Sequence, residues 1–319
     1  MNDSDNRLRE VERIEIITLI DNYVDVLLRN TDVVTRPPLA KGEELPTDSM
    51  LAEHGLSILV TVYQGENNHT LLFDTGYSKV GVPYNMTKME IDVGQIEAIV
   101  LSHGHMDHTG SFYTLMDQIS KKIPIVVHPG AFHFPRYFGL DDGRRLLFPR
   151  TLVREALEER GVEILESKRP TFILEDMVAV TGEVERTTEF EKGLPNATME
   201  VDGKMQPDPI SDDQALVLNL KEKGLVVISG CSHAGIINTV LFSRKFTGVE
   251  KIHGVLGGFH LSGPFFEPII EKTIEALKKM APEVIMPMHC TGWKAIQRFS
   301  EEFPSAFVLN SVGSKITLS

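Results

Sequence analysis

The stretch that decides the fold is Leu101-Ser-His-Gly-His-Met-Asp-His-Thr-Gly110. Between residues 103 and 108 it carries three histidines and one aspartate, although the whole chain has only 11 histidines. Imidazole and carboxylate groups are ligands that zinc, iron and manganese take in proteins. Because such a cluster is rare by chance, the stretch predicts a metal site rather than a polar loop of hydrogen-bonded histidines.

The spacing within this stretch divides its side chains between two ions. His103 and His105 are separated by one residue and can point to one ion from an extended turn. Asp107 and His108 lie one step further along and can point to a second ion nearby. One ion cannot comfortably take all four side chains from so short a segment. We therefore expect two divalent metal ions, with zinc favoured and manganese or iron as alternatives.

Apolar runs on either side of the motif predict a layered arrangement of strands and helices. The predicted strands include residues 14–20, 56–63, 70–73, 99–101, 215–220, 225–229, 252–256 and 284–286, and the predicted helices include residues 109–119, 236–244, 268–280 and 293–301. Several of these strands end in a small polar residue or a histidine. Sites at strand ends are the rule in layered α/β folds, so these residues are candidates for one shared site.

The pattern His-x-His-x-Asp-His after a short buried strand resembles the defining motif of the metallo-β-lactamase superfamily, and Leu72-Phe-Asp-Thr-Gly76 matches one of its early strands. The resemblance extends from about residue 14 to the C-terminus. It implies an α/β fold, the αββα sandwich, in which two mixed β-sheets lie face to face with helices outside. It also implies a dinuclear site at one edge, with His103 and His105 on the first ion and Asp107 and His108 on the second.

The same resemblance implies further ligands from later strand ends. His289 resembles the final motif histidine, which completes the second metal site, and His233 resembles another ligand of the first. Many relatives end the strand before His233 in Gly-Asp, with the Asp bridging both ions, whereas this chain has Gly230-Cys231. Three alternatives stay open: the Cys231 thiolate bridges, Asp213 or water replaces the missing carboxylate, or the site is asymmetric.

Three residues have predicted roles beyond that of a simple ligand. His260, in Gly-Gly-Phe-His-Leu, is a ligand, a substrate contact or a general acid, with a structural histidine as the alternative. Asp74 has no second acid nearby, so we expect it to hydrogen-bond a ligand imidazole or the backbone of the motif loop. Asp107 is a candidate catalytic residue as well as a ligand, because its carboxylate can orient an attacking water.

Three motifs together narrow the family further. Gly-Cys-Ser-His-Ala-Gly at 230–235, Gly-Gly-Phe-His-Leu at 257–261 and Met-His-Cys-Thr-Gly at 288–292 are similar to the branch named for 7,8-dihydropterin-6-yl-methyl-4-(β-D-ribofuranosyl)aminobenzene-5'-phosphate synthase. Many members of that branch are called metallo-hydrolases. Our first hypothesis is therefore a hydrolase that uses metal-activated water on an ester, lactone or phosphoester.

Two alternatives stand beside the hydrolase. One is a transferase that condenses a dihydropterin-methyl diphosphate with an aminobenzene ribofuranosyl phosphate. It would need a pterin pocket with aromatic walls and a carboxylate. Residues 132–138 and Asp212-Asp213 could supply these, but they could equally belong to the apolar core and to a turn. The other is a non-catalytic metal-binding or redox protein. Flavin-linked relatives usually carry Glu in place of the second motif histidine, so His105 argues against it.

Charge and composition limit the partners. The net charge is −13, from 32 basic and 45 acidic residues, and the chain has no dense basic run. Nucleic acids bind through clusters of Lys and Arg, so no nucleic-acid partner is expected. The negative net charge does not exclude a small anionic substrate, because metal ions at the site supply their own positive charge. The oligomeric state is left open.

Location and domain organisation follow from simple counts. No run of 18 apolar residues exists, the N-terminal residues lack an apolar signal region, and the chain has only two cysteines. We therefore expect a cytoplasmic protein with no membrane segment. We also expect a flexible N-terminus over residues 1–12 and a single domain over 13–319, with inserted loops near 29–50, 129–150 and 182–212.

Overall fold

The computed structural model describes residues 8–40 and 42–319, and within them two large β-sheets lie face to face. The first sheet has eight strands there. From one edge to the other they are β10 (Ile164–Glu166), β7 (Ile125–Val127), β6 (Ile96–Val100), β5 (Asn67–Phe73), β4 (Ser57–Gln64), β2 (Arg13–Ile20), β19 (Lys315–Leu318) and β3 (Val34–Thr35).

The second sheet has seven strands in the described part of the chain. Six follow one another as β11 (Thr171–Ile173), β12 (Val178–Val180), β15 (Ala215–Leu220), β16 (Gly224–Ser229), β17 (Ile252–Gly258) and β18 (Val284–Met288), while β1 (Glu10–Val11) pairs with β15. Every residue of β15 and β16 is buried. Strands covered on both faces have near-continuous apolar sequences, which is why these two are easily recognised.

Helices cover the outer faces of both sheets. They are α1 (Gly81–Lys88), α2 (Met106–Thr109), α3 (Phe112–Gln118), α4 (Arg154–Glu159), α5 (Ile236–Thr247), α6 (Ile270–Met280) and α7 (Trp293–Glu302), with short 3-10 turns at Val93–Gln95, Pro129–Phe132, Glu267–Ile269 and His289–Thr291. Side chains on β4 and β5 alternate between the two layers that they face. Val60 and Leu71 join the core between the sheets, whereas Leu59 and Leu72 join the core beneath α1 and α3. The second sheet alternates likewise, which confirms the predicted αββα sandwich.

Both sheets place carboxyl ends of parallel strands at the site. Strands β5, β6 and β7 are parallel neighbours in the first sheet, and β16, β17 and β18 are parallel neighbours in the second. Parallel strands that are neighbours end at the same edge, so the turns that follow them come together. The candidate residues lie in these turns.

Two of the segments predicted as inserted loops form a third, smaller sheet. Its strands are β14 (Lys204–Pro207), β13 (Ala197–Val201), β8 (Arg136–Gly139) and β9 (Arg145–Leu147). Pairing across the sheet joins residues far apart in sequence, such as Tyr137 with Thr198. These strands are short and two are largely exposed, so neither length nor alternation distinguished them from loops.

The predicted flexible N-terminus falls partly outside the described residues, since residues 1–7 are not among them. Glu10 and Val11 pair with Asn219 and Leu220 of β15, and Leu8 is buried. In the described part of the chain, no helix combines the length and apolar character needed to cross a membrane.

Candidate functional site

The predicted site residues lie at strand ends or in the turns that follow. Asp74 follows β5; His103 and His105 follow β6, with Asp107 and His108 in the adjoining α2; Cys231 and His233 follow β16; His260 follows β17; and His289 follows β18. The chain turns sharply at several of these points, with φ of 60° at Asp74, 46° at His260 and 50° at His289. Non-glycine residues rarely adopt such angles, and they concentrate at functional sites.

The first cluster consists of His103, His105 and His233. All three are buried, and they can offer ring nitrogens that lie within 4.8 Å of one another. The Nε2 of His103 is 3.0 Å from the Nδ1 of His105, and the ring centroids of His103 and His233 are 4.8 Å apart. Three converging imidazoles form a donor set that suits zinc.

The second cluster consists of Asp107, His108, Cys231 and His289. One ligand atom from each lies within 4.8 Å of the others. The Nε2 of His108 is 3.2 Å from the Sγ of Cys231, and the Nε2 of His289 is 3.4 Å from the Oδ2 of Asp107. Nitrogen, oxygen and sulfur donors together match a zinc or iron site.

Cys231 and His233 link the two clusters. Both belong to a third group of converging ligand atoms, in which the remaining member is His260. The ring centroids of His233 and His260 are 4.5 Å apart. Asp213 is outside all three groups, and its Oδ2 instead accepts a 2.9 Å hydrogen bond from the backbone nitrogen of Ala234. Cys231 thus lies where a bridging ligand would lie and Asp213 does not, but burial raises the pKa of the Cys231 thiol well above its usual value, so a bound ion would have to displace the thiol proton.

Unpaired ring nitrogens indicate that the clusters fit metal ions. The Nε2 of His105 and both ring nitrogens of His233 are buried and have no hydrogen-bond partner among the described residues. A buried polar atom without a partner costs about 1–3 kcal/mol. A divalent ion bound to such a nitrogen would replace the missing partner, so the residues present fit the metals that the sequence predicts.

Burial keeps the first cluster ready to bind a cation. It lowers the pKa of His105 to about 4 and, with the help of nearby His108, lowers the pKa of His103 well below its usual value. Both rings are therefore neutral near pH 7, the form in which imidazole binds metals. Burial also opposes ionisation of Asp107, but His108 and His289 outweigh it, so the pKa of Asp107 is lowered.

Asp74 orients His108, as the sequence predicted for a supporting acid. Its Oδ2 lies 2.6 Å from the Nδ1 of His108 and accepts a hydrogen bond from the hydroxyl of Ser102, while its Oδ1 accepts one from the backbone nitrogen of Ser102. Although burial lowers the pKa of His108, the carboxylates of Asp74 and Asp107 raise it to about 9. Without an ion the ring is therefore protonated on both nitrogens near pH 7, and an ion bound at Nε2 would displace that proton while Asp74 keeps the one on Nδ1.

A buried ion pair from the third sheet holds the motif loop. Arg136 donates hydrogen bonds to both carboxylate oxygens of Asp212, and its Nε lies 3.1 Å from the Oδ2 of Asp208. The Oδ2 of Asp212 then accepts a 2.9 Å hydrogen bond from the backbone nitrogen of Gly104. A side chain at Gly104 would meet the carbonyl of Ala131, so the loop needs glycine there.

A second clamp fixes His289. The Oδ1 of Asp21 accepts a 2.8 Å hydrogen bond from the backbone nitrogen of His289, and the Nδ2 of Asn22 donates one of 3.0 Å to the His289 carbonyl. Asn310 donates to the other oxygen of Asp21. Burial of Asp21 raises the pKa of its carboxyl group, although these hydrogen bonds oppose the rise. The pair Asp21-Asn22 thus holds His289 in its unusual backbone conformation.

Two rings to which the sequence analysis gave no role at the clusters contact them. His54 stacks on His289 with ring centroids 4.9 Å apart, and its Nε2 is 3.9 Å from the Oδ2 of Asp107. Phe148, directly after β9, stacks on His105 with ring centroids 4.5 Å apart and nearly parallel rings. His54 lies two residues before the predicted strand 56–63, so a search for histidines near both ends of strands would have placed it at the site.

Comparisons with known proteins agree with this geometry. Residues 54–193 match the family model of the metallo-beta-lactamase superfamily. The chain is 35% identical over 262 residues to the 7,8-dihydropterin-6-methyl-4-(beta-D-ribofuranosyl)-aminobenzene-5'-phosphate synthase of Methanocaldococcus jannaschii, covering 80% of this chain and 87% of the relative. It is 33% identical over 269 residues to an uncharacterised protein of the same organism, covering 83% and 93%.

A solved structure extends the similarity to the whole fold. It is the crystal structure of a metal-dependent hydrolase of the beta-lactamase superfamily, which aligns with a TM-score of 0.69 and 26% identity over 96% of this chain and 98% of that one. The resemblance inferred from the motifs is therefore confirmed. By its sequence, its sandwich of two sheets and its similarity to these proteins, the chain belongs to the metallo-β-lactamase superfamily.

Proposed function

We propose that this protein is a metal-dependent transferase that joins a dihydropterin-methyl diphosphate to an aminobenzene ribofuranosyl phosphate. One observation carries the proposal: the 35% identity, over most of both chains, to a synthase whose product combines these two parts. The transferase was the alternative to a hydrolase in the sequence analysis, and this relative favours it. The proposed reaction forms a bond between the aryl amine nitrogen and the pterin methylene carbon, breaks the bond from that carbon to diphosphate, and releases the amine proton.

The proposal includes two divalent ions, with zinc favoured. His103, His105 and His233 would hold the first ion, and Asp107, His108, Cys231 and His289 would hold the second. When bound, such ions supply positive charge that stabilises a departing diphosphate. The chain itself keeps these side chains in place, through Asp74 on His108, Asp212 on Gly104 and Asp21 on His289.

His260 and Asp107 are the proposed catalytic residues. His260 lies at the end of β17, is partly exposed, and borders a pocket beside His233, so it can contact a substrate there. Asp107 is mostly buried, and its Oδ2 is 3.9 Å from the Nε2 of His54, whose side chain is 63% exposed. We assign the acceptance of the amine proton to an imidazole at this exposed face, because the pKa of Asp107 is lowered and its carboxylate would be held as a metal ligand.

The test is a product assay with metal-loaded protein. The protein is incubated with 6-hydroxymethyl-7,8-dihydropterin diphosphate and 4-(β-D-ribofuranosyl)aminobenzene 5'-phosphate, and products are identified by mass spectrometry. We expect coupled product and released diphosphate in equal amounts, with both lost in His103→Ala. Release of diphosphate at the same rate without the aryl amine, with no coupled product, would contradict the transferase.

The hydrolase is the second candidate. What favours it is the aligned structure with a TM-score of 0.69, which belongs to a metal-dependent hydrolase and is 26% identical to this chain. The same two clusters would then act on water and an ester, lactone or phosphoester. We rank it second because that similarity is lower and names no substrate. A screen of such compounds, with the product assay run in parallel, separates the two candidates.

A further inference from the structure

An apolar cavity opens beside the first cluster. Its volume is about 240 Å³. Its wall includes four phenylalanines: Phe190, Phe259, Phe265 and Phe266. Pockets that enclose a drug-sized ligand are usually larger, about 300–1,000 Å³. The cavity therefore fits one flat ring system rather than a whole substrate composed of several parts.

The histidines of the site form the inner side of this cavity. His233 and His260 both line it, and the ring of Phe266 packs edge-on against His260 with centroids 4.5 Å apart. The ring centroid of His260 is in turn 4.5 Å from that of His233. A ring bound between the phenylalanines would thus hold its substituent next to the first cluster.

Charged side chains in the cavity wall, Glu191 and Lys192, distinguish it from a plain apolar pocket. Glu191 is 5% exposed and lines the cavity. Its Oε2 accepts hydrogen bonds from Asn238 and Thr188, and its Oε1 accepts one from the backbone nitrogen of Ile237. A carboxylate has about four acceptor positions, so among contacts within the described chain one on Oε1 stays available. An N–H group at the edge of a heteroaromatic ring matches it.

We propose that this cavity, defined by Phe190, Phe259, Phe265, Phe266 and Glu191, is the binding subsite for the pterin ring, an assignment that rests on the proposed function. The bicyclic ring lies among the phenylalanines, its N–H edge faces Glu191, and its methylene carbon faces His233 and His260. The aminobenzene ring is also flat and aromatic, but its only N–H group is the reacting amine, which has to face the pterin methylene carbon rather than Glu191. It binds outside this cavity.

The regions that the sequence suggested for a pterin pocket are mostly held by other contacts. Asp212 is paired with Arg136 and bound to Gly104. The Oδ2 of Asp213 accepts a hydrogen bond from Ala234, while its Oδ1 has no hydrogen-bond partner among the described residues and the side chain borders a second cavity. Phe132 lies under the guanidinium of Arg154 at 4.3 Å. A larger cavity of about 580 Å³ runs along residues 183–186 and 209–211, but Phe242 is its only aromatic lining residue among those described. These contacts leave the cavity beside His260 as the aromatic subsite.

The test measures binding of 6-hydroxymethylpterin by its own fluorescence, using the full-length protein loaded with zinc. Stacking of a base on an aromatic side chain usually contributes tenfold or more in affinity, so we expect Phe265→Ala and Phe266→Ala each to weaken binding by about tenfold. Phe134→Ala is the matched control. Phe134 is about as exposed as Phe265, at 42% against 51%, but it lies outside the cavity. The control should bind the pterin like the wild type. Zinc content, measured for every variant, should be unchanged.

A second titration distinguishes the two aromatic substrates. Addition of 4-(β-D-ribofuranosyl)aminobenzene 5'-phosphate should leave the pterin bound, because the two rings occupy different places. The subsite is wrong if this compound displaces the pterin competitively, if Phe134→Ala weakens binding as much as Phe265→Ala, or if the wild type binds no pterin.

The subsite and the proposed function can fail separately. If the wild type forms coupled product but Phe265→Ala and Phe266→Ala leave the KM for the pterin diphosphate unchanged, the subsite is wrong and the transferase stands. If pterin binding depends on these phenylalanines but no coupled product forms, the subsite is supported and the transferase is wrong.

Discussion

His105 shows what a single buried side chain requires of this site. Its Nε2 is buried and has no hydrogen-bond partner among the described residues, and its ring is held between His103 and Phe148. Such a nitrogen is costly unless a ligand satisfies it. We expect His105→Ala to lower the metal affinity of the first cluster at least tenfold, as measured by metal analysis after dialysis. His253→Ala is the control, because His253 is also buried but belongs to none of the ligand clusters of the described chain, and its Nδ1 lies 3.3 Å from the Oε2 of Glu283. Equal metal content in both variants would contradict the assignment.

Cys231 is the residue with the most open role, and its neighbour provides the control. Its Sγ lies among the ligand atoms of the second cluster, whereas the Sγ of Cys290 donates a hydrogen bond to the Cys231 carbonyl and belongs to none of the clusters found in the described chain. In cobalt-substituted protein we expect a sulfur-to-metal charge-transfer band in the near ultraviolet. The band should vanish in Cys231→Ser and persist in Cys290→Ser. If the wild type lacks the band, the thiolate is not a ligand.

The sequence motifs pointed to the residues of the clusters and to Asp74, but not to the ion pair that holds the motif loop. Asp107 and His108 are adjacent in the motif, so the pattern is visible without a structure. Arg136 and Asp212 meet only because two distant segments pair in the third sheet. No local pattern connects them, and a buried Arg looks like any other Arg in a sequence.

At the scale of elements, the third sheet is tied to the site through one buried ion pair. Arg136, on β8, is 5% exposed, and its partners Asp208 and Asp212 are equally buried. Removing one member of such a pair leaves uncompensated charge and usually costs about 3–5 kcal/mol. We expect Arg136→Met to lower the free energy of unfolding by about that amount in denaturant titrations. Arg144→Met should change it by less than about 1 kcal/mol, because the Arg144–Asp142 pair is exposed.

A loss of stability in Arg136→Met no larger than in Arg144→Met would show that the ion pair does not hold the third sheet. The variant also separates stability from metal binding. Since Asp212 bonds the backbone of Gly104, the motif loop should loosen and metal affinity should fall with it.

The start of α5 carries a pH-dependent contact. Glu191 accepts hydrogen bonds from the backbone nitrogens of Ile237 and Asn238, and burial outweighs these bonds to raise its pKa to about 7. The folded state therefore binds more protons than the unfolded state between about pH 4.5 and 7. The protonated carboxyl group stabilises the folded state fully below pH 4.5, and this stabilisation is lost as the pH rises to about 7. The shift in the pKa of Glu191 corresponds to about 3 kcal/mol in the free energy of unfolding.

This effect is measured as the difference in unfolding free energy between the wild type and Glu191→Gln. Glutamine cannot ionise, so the wild type should lose stability relative to the variant as the pH rises from 4.5 to 7, and the difference should stay constant above that range. A difference that does not change with pH would show that Glu191 is ionised throughout.

At the scale of the whole molecule, the site joins two layers that pack independently of it. His103, His105 and His108 follow a strand of the first sheet, whereas His233 and His289 follow strands of the second. Between the sheets lies an apolar core that includes Phe73, Leu218 and Met286. The apolar runs predicted the individual strands, since each strand carries its own signal, whereas the sandwich itself was implied by the resemblance that the metal motif carries. The core also means that the fold should persist without metal.

Metal bound to side chains from both sheets should nevertheless stabilise the fold as a whole. An ion that binds only the folded chain adds about 4 kcal/mol when it is present at a thousand times its Kd. For a chain of this size, we expect chelation to lower the Tm by at least about 5 °C in calorimetry while the far-ultraviolet circular dichroism at 25 °C stays unchanged. In His103→Ala, whose first cluster is incomplete, the chelator should have a smaller effect. An ion that binds only the folded chain must raise the Tm. If the chelated and the metal-loaded wild type had the same Tm, the clusters would hold no ion that links the two sheets.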